Sequence, residues 1–131
     1  MPRAIDTNIL VRILADDGSD QVARARALLA EGDLFVTTTV LLETEWVLRG
    51  RYQYNRRQIT DLFKGLIRIK ELSFAEEASV RSALDSHAKG LDFADALHLA
   101  LSAGCNEFLT FDREFEKHPL QEKLQPPVRM S

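Results

Sequence analysis

Apolar and polar positions follow one another along this chain in a pattern that predicts helices and strands in turn. The clearest stretch runs from Gly90 to Asp112, in which residues 93–103 are apolar on nearly every side and predict a buried helix. A short apolar run at residues 108–111 follows and predicts an inner strand that ends at Asp112. We expect this helix and strand to form part of the protein core.

Two capping boxes predict helix starts, because in a capping box the N-cap side chain and a side chain of the first turn bond to each other's backbone. They are Asn55 with Gln58 and Ser73 with Glu76. Hydrophobic periodicity predicts the remaining strands at residues 3–5, 34–36, 67–72 and 128–130, and the remaining helices at 9–14, 19–32, 40–48 and 113–118, the last ended by Pro119. This alternation predicts an α/β fold with a parallel sheet and helices on both of its faces.

The length and composition are typical of one ordinary soluble domain. The chain has 131 residues, of which 45% are hydrophobic and 28% charged, and we expect residues 1–131 to form a single domain. No apolar run approaches the roughly 20 residues that span a membrane, and no basic-then-apolar leader precedes Asp6. The single cysteine, Cys105, cannot form an internal disulfide and is expected in the core, which fits a reducing cytoplasm.

Positive charge is concentrated in one part of an acidic chain. The net charge is −3, yet residues 49–70 hold seven bases against one acid, Asp61. We call these seven bases the basic stretch: Arg49, Arg51, Arg56, Arg57, Lys64, Arg68 and Lys70. Such a stretch indicates either a strip that binds the phosphates of a nucleic acid or a solvated helix face.

Four carboxylates stand where a parallel sheet would gather them. They are Asp6 and Glu43 after the first two strands, Asp95 at the start of the buried helix, and Asp112 after the strand that follows it. Because the carboxyl ends of parallel strands lie on one edge of a sheet, we expect the four to converge. Carboxylates packed together repel and raise one another's pKa unless a cation compensates them.

The two glutamates of the predicted helix at 40–48 receive different interpretations. Glu45 has Arg49 four residues later, which predicts an ordinary surface ion pair. Glu43 is expected on the apolar side without a local partner, since its helical neighbours are Thr39, Val40, Trp46 and Val47. Desolvation of an unpaired carboxylate is costly, so Glu43 is expected to face a cation from elsewhere.

Two of the aspartates also have a purely structural interpretation. Asp6 could be the N-cap of the helix that follows it, and Asn8 could cap that helix instead. Asp92, three residues before Asp95, is interpreted as an N-cap or as a residue that supports the site. A structural and a functional role therefore remain open for both aspartates.

The donor types at these positions point to a hard cation. His87 and His98 are interpreted as packed or hydrogen-bonded side chains, and the sequence has no histidine–cysteine cluster of zinc spacing. Oxygen ligands without His or Cys favour Mg²⁺ or Mn²⁺. Such an ion on carboxylates suits hydrolysis of a phosphodiester, with the basic stretch to hold the rest of the strand.

Four short motifs, taken in order, resemble those of the PIN-domain ribonucleases, and most of all the VapC-type toxins of prokaryotic toxin–antitoxin pairs. The resemblance extends over essentially the whole chain. Each motif alone is weak, and the four in register are more specific. The motifs are Asp6-Thr7-Asn8, Leu42-Glu43, Asp92-Phe93-Ala94-Asp95-Ala96-Leu97 and Thr110-Phe111-Asp112-Arg113-Glu114-Phe115.

The resemblance implies a fold, an activity and partners. The fold is a three-layer α/β/α sandwich around a mostly parallel sheet, and the activity is Mg²⁺-dependent endonucleolytic cleavage of RNA, often tRNA or rRNA. A VapB-type antitoxin and a toxin homodimer are also implied. By position, Asp6 and Asp95 match the acids most directly tied to metal, and Glu43 and Asp112 match the other two. Thr7 and Asn8 match the corner that supports the first acid, and Glu114 is a reserve for Asp112.

Two other functions remain open on the residues alone. A phosphatase-type phosphoryl-transfer domain usually has an Asp-x-Asp corner, whereas this corner is Asp6-Thr7-Asn8. A non-catalytic PIN-like interaction module would be marked by loss of one or more acids, and all four are present. A metal-dependent ribonuclease toxin is therefore the leading hypothesis.

Overall fold

Helices and parallel strands alternate along the chain in the computed structural model, which describes residues 1–118 and 124–131. The predicted α/β class with parallel strands is confirmed. The chain divides into two compact units, Met1–Glu77 and Ala78–Ser131. The predicted helix end at Pro119 lies outside the described residues.

The first unit contains a parallel sheet of three strands. In chain order its elements are β1 (Arg3–Ala4), α1 (Thr7–Leu14), α2 (Asp20–Glu31), β2 (Leu34–Val36), α3 (Thr38–Gly50), α4 (Arg56–Ile67) and β3 (Leu72–Phe74). The strand order is β1-β2-β3, with Arg3 beside Leu34 and Leu34 beside Leu72. Leu34 and Val36 are 1% exposed, so β2 is the buried centre of this sheet.

The second unit contains a two-stranded parallel sheet. Its elements are α5 (Glu77–Ala88), which begins at the last residue of the first unit, then α6 (Phe93–Leu101), β4 (Phe108–Thr110), α7 (Arg113–Lys117) and β5 (Val128–Met130). β4 pairs with β5, with Phe108 beside Val128 and Thr110 beside Met130. The edge strand predicted at residues 128–130 is therefore confirmed.

Local sequence signals account for most helix boundaries. The capping box of α4 is present, since the backbone N–H of Gln58 donates to the Asn55 side chain and the N–H of Asn55 donates to the Gln58 side chain, both at 2.8 Å. α2 begins after Ser19 and ends at Gly32, whose φ of 84° suits a residue without a side chain. No helix in the described ranges is long and apolar enough to cross a membrane.

The region around β3 differs from the prediction. The apolar face of α4 continues to the buried Leu66, so residues 56–67 are helical and the strand follows at Leu72–Phe74 instead of 67–72. Ser73 lies inside that strand, and Glu76 has a φ of 52°. The capping box predicted for Ser73 and Glu76 is therefore wrong, and α5 begins at Glu77.

Several residues of the second unit that were predicted to be buried are exposed. The strand predicted at residues 108–111 is present at Phe108–Thr110, but its predicted inner position is wrong, because Leu109 is 52% and Phe111 83% exposed. Successive strand residues point to opposite faces, and Leu109 lies on the face opposite Phe108 and Thr110. Cys105 and His98 are exposed as well, so the prediction of a core cysteine is wrong, and of the two alternatives given for His98, packed or hydrogen-bonded, the packed one is wrong.

Candidate functional site

Three of the predicted site residues are helix N-caps. The Asp6 carboxylate accepts a hydrogen bond from the N–H of Ile9 at 3.1 Å and caps α1. The Asp112 carboxylate accepts from the N–H of Glu114 at 2.9 Å and caps α7. One carboxylate oxygen makes the cap in each case, and a carboxylate has further lone pairs on its second oxygen. Capping therefore fixes where each acid lies without using all of its acceptor capacity.

Asp92 has the structural role that was favoured for it. Its carboxylate accepts a hydrogen bond from the backbone N–H of Asp95 at 3.2 Å and caps α6. The cap places Asp95 in the first turn of the same helix, where the positive end of the helix dipole favours a negative side chain. Asp92 therefore positions Asp95 through the helix that both residues begin.

Glu43 lies on the exposed side of α3 and is held by a hydroxyl. The Thr7 hydroxyl, at the first residue of α1, donates a hydrogen bond to the Glu43 carboxylate. The prediction that Glu43 lies on the apolar side of the helix is therefore wrong, because its side chain is exposed. Thr7 was predicted to support the first acid, Asp6, and the structure shows it bonded to Glu43.

Glu45 is the buried glutamate of α3. Its side chain is 3% exposed, and the Arg49 guanidinium donates to it through Nε at 2.8 Å and Nη2 at 3.4 Å. The pair was predicted at the surface, but its carboxylate lies in the interior. The inner face of α3 is formed by residues at helical spacing, Leu41, Thr44, Glu45 and Leu48, and this face excludes Glu43.

Asp95 is a partly buried carboxylate in the first turn of α6. Burial raises the pKa of its carboxyl above the ordinary value of 3.8, the negative charges of Asp92 and Asp112 raise it further, and His98 lowers it. Asp92 and Asp112 are thus near enough to act on Asp95 through space, so these three aspartates form one electrostatically linked group. Like charges held together in this way favour either a proton or a cation.

The acids of the second unit suit a hard cation by their chemistry. Asp92, Asp95 and Asp112 offer only carboxylate oxygens, the ligand type preferred by Mg²⁺ and Mn²⁺. Within residues 1–118 and 124–131, no three His, Cys, Asp or Glu side chains form a ready-made metal-binding group. Because Mg²⁺ keeps several waters and takes one or two carboxylates, the donor set fits this ion without a closed cage.

The remaining predicted residues lie at the surface of their own elements. Asn8 is exposed in α1 and lines a cavity of about 140 Å³ together with Arg12, Gln21 and Arg24. Glu114 is exposed in the first turn of α7. The supporting role of Asn8 and the role of Glu114 as a reserve for Asp112 stay predictions.

The basic stretch is on the outside of the first unit. Lys64 and Arg68 are exposed at the end of α4, on the side away from the buried Ile59 and Phe63. Arg51 is exposed at the end of α3. The charge of this stretch is therefore presented to solvent, as both of its interpretations require.

One exposed aromatic residue was missed by the sequence interpretation. Trp46 was counted with the apolar neighbours of Glu43, but its side chain is 67% exposed. Thr39, Glu43 and Trp46 are spaced as on one helix face. This spacing was a signal that all three side chains would be exposed together or buried together. His87, in contrast, is buried, and its ring packs edge-on against Phe93 with the two ring centroids 5.5 Å apart. This is the packed histidine that was predicted.

The chain matches the model of a known protein family. Residues 4–119 match the family model described as PIN domain. This range includes all four of the sequence motifs and every candidate acid. No curated protein matches the chain closely enough to serve as a relative.

Proposed function

This chain belongs to the PIN domain family, a family of nucleases, and we propose that it is a metal-dependent endoribonuclease that hydrolyses RNA phosphodiester bonds. The observation that carries the proposal is the group of mutually repelling carboxylates around Asp95. Burial and two acidic neighbours raise the pKa of the Asp95 carboxyl, and groups with perturbed pKa values concentrate at functional sites. We propose that this group binds Mg²⁺, or alternatively Mn²⁺.

The four acids have distinct proposed roles. Asp6 and Asp95 would coordinate the metal ion. Glu43 and Asp112 would coordinate it either directly or through a bound water molecule. Bound Mg²⁺ supplies charge stabilisation and a more acidic water for attack on phosphorus. The family motifs support the assignment of Asp6 and Glu43, and the Thr7 hydroxyl supports it further by fixing the Glu43 carboxylate.

Three residues are proposed to support the acids. Asp92 begins α6 and so sets the position of Asp95. Thr7 holds Glu43, and Asn8 extends the same polar corner at the start of α1. The basic stretch would bind phosphates on either side of the scissile bond.

We further propose that the protein is a cytoplasmic toxin of the VapBC type. Its substrate would then be tRNA or rRNA, a VapB-type antitoxin would neutralise it, and it would act as a homodimer. The order and spacing of the four motifs support this narrower assignment. The family match includes residues of both compact units, which supports a single nuclease domain over residues 1–131.

Cleavage of total RNA by the purified full-length protein tests the enzymatic proposal. We expect discrete fragments with Mg²⁺, none with EDTA, and a loss of at least 100-fold in rate for Asp95→Asn. Asp20→Asn, which removes one exposed charge on α2, is the matched control and should cleave at the wild-type rate. Intact RNA with folded, antitoxin-free wild-type protein would instead favour a non-catalytic interaction module.

A further inference from the structure

α3 presents an outer stripe of four side chains, Thr39, Glu43, Trp46 and Arg49. All four are exposed, and they follow one another at intervals of three or four residues, the spacing of one helix face. The opposite face carries the buried residues Leu41 and Leu48. The outer stripe therefore belongs to the surface of the first unit along the whole length of the helix.

Trp46 is the residue of this stripe that the fold does not explain. It is the only tryptophan in the sequence, and 67% of its surface is exposed. Tryptophan is usually largely buried in folded proteins, and its indole ring offers a wide apolar face together with one N–H donor. A tryptophan left outside the core suggests a binding role for its ring.

The neighbours of Trp46 on the stripe differ in charge at its two ends. Glu43 lies one turn before it, with its carboxylate held by Thr7, and Arg49 lies one turn after it, with its guanidinium held by Glu45. Side chains three residues apart on a helix have Cβ atoms about 5–6 Å apart. The indole thus stands between a candidate catalytic carboxylate and the first residue of the basic stretch.

This setting favours a nucleic acid over a protein as the partner. Among the described residues of the first unit, only Met1 and Trp46 are large apolar side chains with high exposure. Protein interfaces are built around contiguous apolar patches, whereas proteins that bind single strands combine isolated aromatic rings with positive charge. An isolated aromatic ring one helical turn from Arg49, the first residue of the basic stretch, resembles the sites that bind single strands.

We propose that the Trp46 indole stacks on a base of a single-stranded RNA substrate, while Arg49 binds an adjacent phosphate. The inference rests on the proposed ribonuclease function and assigns it a substrate subsite. Stacking would place the neighbouring phosphodiester toward Glu43, one turn away. Because every base has a π-face, the subsite would accept any base and would select for unpaired over paired RNA.

Fluorescence offers a direct test, because Trp46 is the only source of tryptophan emission in the chain. The full-length protein is titrated in EDTA, which prevents cleavage, with a short single-stranded RNA and with an abasic oligonucleotide of equal length. We expect the RNA with bases to quench the emission and to bind about tenfold more tightly than the abasic strand. Equal affinities without quenching by either strand would overturn the proposal.

Two substitutions at position 46 separate stacking from general apolar contact. Trp46→Phe keeps an aromatic face, whereas Trp46→Leu keeps only apolar bulk. By the anisotropy of labelled RNA, we expect Trp46→Leu to bind about tenfold more weakly and Trp46→Phe to retain most of the affinity. Unchanged RNA affinity in Trp46→Leu, together with a changed molecular mass in sedimentation, would identify a protein interface and refute stacking.

Cleavage kinetics distinguish a failure of this subsite from a failure of the proposed function. In Mg²⁺, Trp46→Leu should raise KM about tenfold and leave kcat within about twofold, because stacking binds the substrate before and during the reaction. A wild-type KM in an active Trp46→Leu enzyme would refute the subsite alone. Quenching by RNA that the wild-type protein does not cleave would support the subsite and refute the nuclease.

Discussion

The hydroxyl of Thr7 donates a hydrogen bond to the carboxylate of Glu43 and so links the first residue of α1 to the outer side of α3. The two residues are 36 positions apart in the sequence. An exposed glutamate usually samples several rotamers, and fixing it has an entropic cost. The bond from Thr7 holds the carboxylate in one position before any ligand arrives, which is useful for a catalytic acid.

Removal of this hydroxyl should impair catalysis more than folding. Thr7→Val keeps the shape of the side chain but has no donor, so we expect activity on RNA to fall about tenfold. The free energy of unfolding should fall by about 1 kcal/mol or less, the net value of one hydrogen bond. Cleavage rates and denaturant unfolding check both values. Thr7→Ser retains the donor, and a loss of activity as large as that of Thr7→Val would contradict the explanation.

Capping and catalysis can be separated at Asp112. Asparagine is as good an N-cap as aspartate and removes the repulsion of Asp95, so Asp112→Asn should be at least as stable as the wild type while its RNA cleavage falls at least tenfold. Asp112→Ala should lose the activity and also about 1 kcal/mol of unfolding free energy. Thermal unfolding and cleavage assays on the two variants give the comparison. Full activity in Asp112→Asn would show that Asp112 is a cap alone.

Asp95 should make the metal-free protein less stable as the pH rises. Its pKa in the folded chain lies above the ordinary 3.8, so between these two values the folded state binds more protons than the unfolded state. The protein therefore loses stability as the pH rises through that interval and the folded Asp95 carboxyl ionises. Above the interval, this destabilisation has reached its full size. In EDTA, Asp95→Asn should unfold at a higher temperature than the wild type at pH 7.

The advantage of Asp95→Asn should shrink as the pH falls toward 3.8, because the wild-type carboxyl then becomes neutral as well. Unfolding temperatures between pH 7 and pH 4 measure this change, and Asp20→Asn controls for the loss of one negative charge. Added Mg²⁺ should stabilise the wild type but not Asp95→Asn, because ligands stabilise the state that binds them. A difference between the proteins that does not change with pH would contradict the raised pKa.

Arg49 should matter for stability because of the carboxylate it faces. Arg49→Ala removes the ion pair of a glutamate that is 3% exposed, and we expect the free energy of unfolding to fall by about 2 kcal/mol. Arg51→Ala removes an exposed arginine of the same stretch. It should change the free energy of unfolding by less than about 0.5 kcal/mol. Urea unfolding of both proteins compares them, and equal effects would show that the pair with Glu45 is not responsible.

Features that depend on neighbours in the sequence were determined by the sequence. The capping box of Asn55 and Gln58, the strand at Leu34–Val36, the cap at Asp92 and the strand at Val128–Met130 were all predicted and are present. Each depends on contacts within one turn or on the apolar character of one short run. The capping box predicted for Ser73 and Glu76 did not form, because pairing with β2 places Ser73 in a strand, so such a local signal holds only where no tertiary pairing competes with it.

Which side chains are buried was decided by the tertiary structure. Both α3 glutamates have apolar helical neighbours, and only the packing of the first unit buries Glu45 and leaves Glu43 and Trp46 exposed. The same holds for His98 and Phe111, whose apolar surroundings in the sequence predicted burial that the fold does not provide. Burial depends on which elements pack against a face, and residues far apart in the sequence supply those elements.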